Sequence, residues 1–205
     1  PNSVNEQIVR DNLLDREQAR RDLGVPVDAP RVIGTVGRMR PVKGHKYLID
    51  AMRQMDNPPY VVVIGDGELL DEMREAAKQH GLAERLIFAG GRKNAYRYVS
   101  AFDAFIMPSL REGLPIAMLE AIAAGVPGYG TPVGGIPEIL RDKRWLFETE
   151  STEAVKTVLE YLGSATPEQL EETRHEQYRI FDESFSIESY HARFRSLMEG
   201  GDGRL

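Results

Sequence analysis

The feature that most constrains this chain is a series of short, nearly unbroken apolar runs separated by segments of helical periodicity. The runs lie at 32–36 (VIGTV), 60–64 (YVVVI), 85–89 (RLIFA), 103–107 (DAFIM), 126–129 (VPGY) and 144–147 (RWLF). β-Branched residues without polar alternation are the pattern of strands covered on both faces. Between the runs, Leu48, Ile49, Met52 and Met55 mark one helix face, and Leu69, Leu70, Met73 and Ala77 mark another. Segment 95–101 is short, and 115–124 is apolar nearly all round. Strand–helix alternation with short connections predicts βαβ units, hence a parallel α/β sheet of about six strands with helices on both faces.

The flanks are helical. Residues 4–23 form a charged stretch ending at Gly24, and Ser151-Thr152-Glu153 opens a helix over 151–163. Pro167 suits the first turn of a helix over 167–182, and a last helix over about 187–199 follows Ser186. It places Tyr190, Phe194 and Leu197 on one face, widened by Met198 and preceded by Phe185. The expected organisation is a leading helix at 1–24, the sheet domain at 25–165 and a helical tail at 166–205. At 205 residues, 41% of them hydrophobic, the chain can bury one large core.

Several function classes fall away. There is no cysteine, which removes disulfides, thiolate metal sites and thiol nucleophiles. The four histidines, at 45, 80, 175 and 191, have no metal-ligand spacing, so no protein-held metal is expected. A net charge of −6 argues against a general nucleic-acid surface. No apolar run approaches the roughly 20 residues that span a bilayer. The start, Pro1-Asn2-Ser3, has neither an initiator Met nor a charged-then-apolar leader, so a fragment or a processed chain is expected.

Candidate chemistry gathers after the strands, where open α/β sheets bind ligands. Gly37-Arg38-Met39-Arg40-Pro41-Val42-Lys43-Gly44 follows the first run. Arg38 can fork onto two phosphate oxygens and Lys43 adds a point charge; a solvated basic loop is the alternative. The glycine spacing fits neither the dinucleotide fingerprint nor a P-loop. After the fourth run comes Arg111-Glu112-Gly113-Leu114-Pro115-Ile116, in which Pro115 would open a helix with unpaired amides and a positive dipole end. Glu120 lies within that helix, where a carboxylate among apolar neighbours needs a bonding partner. A ligand's vicinal hydroxyls or a protein group could serve. Gly134-Gly135-Ile136-Pro137-Glu138 is a glycine turn that could simply redirect the backbone. Arg92 and Lys93, after Gly90-Gly91, could meet a base or a phosphate. His45 reads as packing or surface.

Taken in order, these residues resemble the C-terminal half of group 1 glycosyltransferases, retaining nucleotide-sugar enzymes with the two-domain GT-B fold. The matching series runs from Pro1-Asn2 through Gly37-Arg38…Lys43-Gly44, Gly65-Asp66-Gly67, Phe88-Ala89-Gly90 and Pro108-Ser109. It continues with Glu112-Gly113-Leu114-Pro115, Glu120-Ala121, Gly125-Val126-Pro127 and Gly134-Gly135-Ile136-Pro137-Glu138. Two departures stand out: Ser3 replaces the family's usual glycine, and Gly128-Tyr129-Gly130-Thr131 predicts a short or bent fifth strand.

The resemblance implies a Rossmann-like donor-binding domain and a role for each position. Arg38 and Lys43, with Gly37 beside them, would neutralise the donor diphosphate. The amides of Gly113, Leu114 and Ile116, on either side of Pro115, would hold the same phosphates. Glu112 would touch hydroxyls of the transferred sugar, Glu120 the ribose, and Arg92 would lie near the base. Arg38, Lys43 and Glu112 are the catalytic candidates, with no cofactor beyond the donor itself. The acceptor (a sugar, lipid or glycan) would come from an N-terminal domain absent here, leaving half an enzyme that is inactive alone. Cytoplasm, or the inner face of a membrane through peripheral contact, is the implied location. A nucleotide-sugar epimerase of the same architecture and a non-catalytic binding module are the alternatives.

Overall fold

The predicted parallel α/β sheet is present in the computed structural model, which describes residues 3–199, excepting the side chains of 193, 194 and 197–199. The strands are β1 (Val32–Val36), β2 (Tyr60–Ile64), β3 (Leu86–Gly90), β4 (Ala104–Met107) and β5 (Gly128–Gly130). All pair in parallel in the order β3-β2-β1-β4-β5. The order reverses between β1 and β4, so a crevice opens beyond their carboxyl ends.

The helices are α1 (Glu6–Asp11), α2 (Arg16–Leu23), α3 (His45–Met52), α4 (Leu70–Gln79), α5 (Ile116–Ala123), α6 (Ile136–Leu140), α7 (Thr152–Ser164), α8 (Pro167–Ser184) and α9 (Ile187–Glu199). Helices α3, α4 and α7 pack together, while α8 lies on α5 and α6, and α1 on α5. Ile33, Val61, Val62, Phe105 and Ile106 are fully buried between these layers. Burying each such side chain is worth about 1.5–3 kcal/mol. Among the described residues no helix is long and apolar enough to cross a membrane.

Three expectations need correction. The sheet has five strands, not six: 144–147 is entered by a 3-10 turn over Lys143–Trp145, capped by Asp142 accepting from the Arg144 amide at 2.8 Å. Among the described residues a single bridge, Gly130 to Leu146, joins it to the sheet, and β5 is three residues long and ends there. The short β5 matches its glycines, and the other layer compensates. Gln177 of α8, fully buried, accepts from the Gly128 amide at 2.7 Å and donates to its carbonyl at 2.8 Å. One helix was expected over 4–23, yet two form, because Asp15 accepts from the Glu17 and Gln18 amides and starts a new helix. Pro115 is the cap before α5 rather than its first residue.

The expected Pro1-Asn2 start lies outside the described residues, as do the side chains of Phe194, Leu197 and Met198 in the expected apolar stripe.

Candidate functional site

The loops after β1 and β4 are forced together by close backbone contact. Gly44, at φ 69°, ends the first loop, and a Cβ there would sit 1.9 Å from the Pro108 carbonyl oxygen. On the other side Gly134, at φ 54°, would place a Cβ 2.2 Å from the Glu112 carbonyl oxygen. Only glycine combines that dihedral with that approach. Two further bonds close the arrangement: Leu110 N–H to Val42 O at 2.8 Å and Gly135 N–H to Gly113 O at 2.7 Å. The glycine turn at 134–135 therefore braces the Glu112 loop as well as redirecting the chain.

Within this frame Lys43 Nζ donates to Glu112 Oε1 at 2.6 Å, across 69 positions of sequence. Ser109 Oγ donates to the same oxygen at 2.6 Å. Ser109 is itself buried, and its carbonyl accepts from the Thr131 hydroxyl. The Glu112 side chain is 8% exposed and Lys43 24%, so the pair is largely withdrawn from water. Oε2 of Glu112 takes no hydrogen bond among the described residues. Ser109 and Thr131 are the residues that sequence reasoning missed; Pro108-Ser109 was visible only as a motif, without a role.

Arg38 is exposed at the loop tip, and its side chain makes no hydrogen bond or ion pair among the described residues. The first amides of α5, Ile116 and Ala117, have no helical acceptor, as at any helix start. Gly113 is exposed and Leu114 half-buried beside them, around an open cavity of about 430 Å³ that also touches Glu112, Gly135 and Glu138. Glu120 of α5 is half-buried and has no partner among the described residues, and burial raises its carboxyl above the ordinary range. His45, at the first turn of α3, is buried with Nδ1 unbonded; burial, aided by Lys43, lowers its pKa to about 4, so it is neutral at pH 7.

Arg92 does not join this group. It is exposed beyond β3, and its guanidinium donates to the Asp22 carbonyl of α2 at 3.3 Å. Gly91, just before it, adjoins Asp66 of the β2 loop. A larger cavity of about 640 Å³, lined by Tyr129, Trp145, Tyr161 and Thr173, lies beside α7 and α8 and shares no residue with these loops.

Residues 15–179 match the family model described as glycosyl transferases group 1. Among curated relatives, the lipopolysaccharide core biosynthesis glycosyltransferase LpsD of Rhizobium meliloti (strain 1021) is 38% identical over 117 residues. That match covers 57% of this chain and 34% of the relative, so the chain spans about a third of it. The C-terminal domain of a group 1 family glycosyl transferase, LpcC from Francisella tularensis, superposes with TM-score 0.74 at 27% identity, covering 90% of this chain and 99% of that domain. HepE of Anabaena, solved in complex with UDP and glucose, shares the fold with TM-score 0.80 at 19% identity, over 97% of this chain and 55% of that one. The five-stranded parallel sheet is thus one half of a GT-B fold, and the chain belongs to the group 1 glycosyltransferases.

Proposed function

We propose that this domain binds the nucleotide-diphosphate sugar donor of a retaining glycosyltransferase. The observation that carries the reading is the convergence of Lys43, Glu112 and the free amides of α5 at the carboxyl ends of β1 and β4. That is where a doubly wound sheet takes a ligand. Arg38 and Lys43 would meet the diphosphate, joined by the amides of Gly113, Leu114, Ile116 and Ala117, with Gly37 and Pro115 shaping the two loops. Preorganised cations and amides supply the charge that a leaving diphosphate develops, so the proposal calls for no cofactor or protein-held metal. Glu120, half-buried and unpartnered, would accept from the ribose hydroxyls, and Glu112 Oε2 from the transferred sugar. Arg92 would lie toward the base. In HepE, UDP and glucose are the bound molecules, which suits a donor of this chemistry.

Transfer would break the bond between the sugar's anomeric carbon and the diphosphate and form a bond from that carbon to an acceptor hydroxyl on the same face. The acceptor proton would pass to the departing phosphate oxygen. The acceptor (a sugar, lipid or glycan) would be presented by an N-terminal domain, without which this half binds donor and transfers nothing. The reaction would take place in the cytoplasm or at the inner membrane face.

Calorimetric titration of UDP-, GDP- and ADP-sugars, their diphosphates and their nucleosides, with EDTA present, tests the reading. Diphosphate ligands should bind and nucleosides bind far more weakly. Arg38→Ala or Lys43→Ala should cost about ten- to a hundredfold in diphosphate affinity, the worth of one charge-assisted contact, and leave nucleoside binding unchanged. Equal losses for both ligands, or binding that EDTA abolishes, would overturn it.

A further inference from the structure

Lys43 carries one positive charge, which Glu112 and an arriving diphosphate would have to share. In this structure its ammonium is committed to Glu112 Oε1 at 2.6 Å, and that carboxylate is held in place by Ser109. If a phosphate draws Lys43 away, the Glu112 side chain, 8% exposed in the paired arrangement, is left without its cation beside newly arrived negative charge. A nearly enclosed carboxylate deprived of its cation is costly, and a neighbouring like charge adds to the cost. Ser109 supplies a single donor, and Oε2 has none.

A nucleotide-diphosphate sugar repairs this loss, because its sugar brings hydroxyl donors to the carboxylate. A nucleoside diphosphate cannot: it has no sugar beyond the phosphates, and it carries more negative charge. A ligand shifts such an equilibrium only by its differential interaction with the two arrangements, and here that difference is the sugar.

We propose, on the donor-site reading above, that the Lys43–Glu112 pair is a latch that favours the sugar-bearing donor over the bare nucleoside diphosphate. Glu112 is thereby a specificity-determining residue that works by opposing the product. Once the sugar leaves, the carboxylate reclaims Lys43 and weakens the hold on the diphosphate. Ser109 positions Glu112 for both states.

The test titrates UDP with UDP-glucose, GDP with GDP-mannose and ADP with ADP-glucose against the 205-residue chain, and carries the pair that binds to the variants. Glu112→Gln should bind the nucleoside diphosphate about tenfold tighter than wild type, the worth of relieving one charged contact, while the sugar nucleotide gains nothing. Ser109→Ala, which leaves the carboxylate more dependent on Lys43, should shift nucleoside diphosphate affinity the other way, several-fold weaker. Simple structural damage weakens both ligands in both variants, so opposite signs separate the latch from misfolding. Nucleoside diphosphate affinity unchanged or reduced in Glu112→Gln overturns the latch. If Lys43→Ala still weakens the diphosphate in that case, the donor-site reading survives; if no nucleotide binds wild type, or Lys43→Ala is silent, both fail.

Discussion

Strands β1 and β4 carry a carboxylate–cation group at each end, and the two groups are built in opposite ways. At the amino ends, Asp103 accepts from Arg16 at 2.6 Å, from the Val32 amide at 2.7 Å and from Arg20 at 3.4 Å. Arg20 is 4% exposed, and it also donates to the carbonyls of Val27, Ala29 and Ala101. Each Asp103 oxygen is engaged, and every nitrogen of the Arg20 guanidinium has a protein acceptor. At the carboxyl ends, Lys43 and Glu112 also pair, but Arg38, Glu120 and one oxygen of Glu112 have no partner among the described residues. The first group is complete and ties α2 and the segment after it to the sheet. The second is incomplete in the manner of a site that a ligand finishes. On the donor-site reading, the same residue chemistry serves structure or binding according to whether the fold satisfies it.

The sharpest way to break that contrast is at the amino end. Arg20→Met should destabilise the domain by about 3–5 kcal/mol, the cost of removing one partner from a buried pair and orphaning the carbonyls it serves. Thermal and urea unfolding would register it, and nucleotide affinity of the folded fraction should not change. A small loss would mean that the network is not what anchors α2.

Acid should instead act through the carboxyl end. His45 has its pKa lowered to about 4, below the ordinary value of about 6.5 for an imidazole in the unfolded chain. Between those values the unfolded state binds a proton that the native state refuses, so stability falls as pH drops from about 6.5 toward 4. The loss approaches about 3 kcal/mol at the lower end, from 1.36 kcal/mol per pH unit of difference. Melting temperature followed from pH 7 to pH 4.5 should drop less steeply in His45→Gln. Parallel curves would place the acid sensitivity elsewhere.

The mildest expected effect distinguishes the two ends most finely. Burial raises the Glu120 carboxyl without any protein group to offset it, so its charge adds nothing to stability at pH 7. Glu120→Gln should leave the melting temperature unchanged or slightly higher, while nucleoside affinity falls by about tenfold, the order of one lost charged hydrogen bond. A drop of several degrees would make Glu120 a structural acid like Asp103.

What could be read from the sequence was local. Six apolar runs announce the parallel sheet, and five of them pair, because β-branched continuity is a property of neighbouring residues. Glycines and prolines mark the loops after β1 and β4 for the same reason, and Arg38, Lys43, Glu112 and Glu120 stand in those loops or the helix after them. Asp15 splits the leading helix by an equally local cap, whose preference for the break over continued helix is not evident from charge pattern alone. The sixth run fails as a strand because its partner β5 is too short, which no property of 144–147 reveals. Pairings across distance were likewise invisible: Lys43 with Glu112, Ser109 with the same oxygen, Arg20 with Asp103, Gln177 with the Gly128 backbone. Residue type sets what a side chain can bond, whereas which partner it meets depends on where the packed layers bring the backbone. Local pattern accounts for the sheet and the charged loops at its mouth; only the packing of the layers settles which of those charges are satisfied within the fold and which are not.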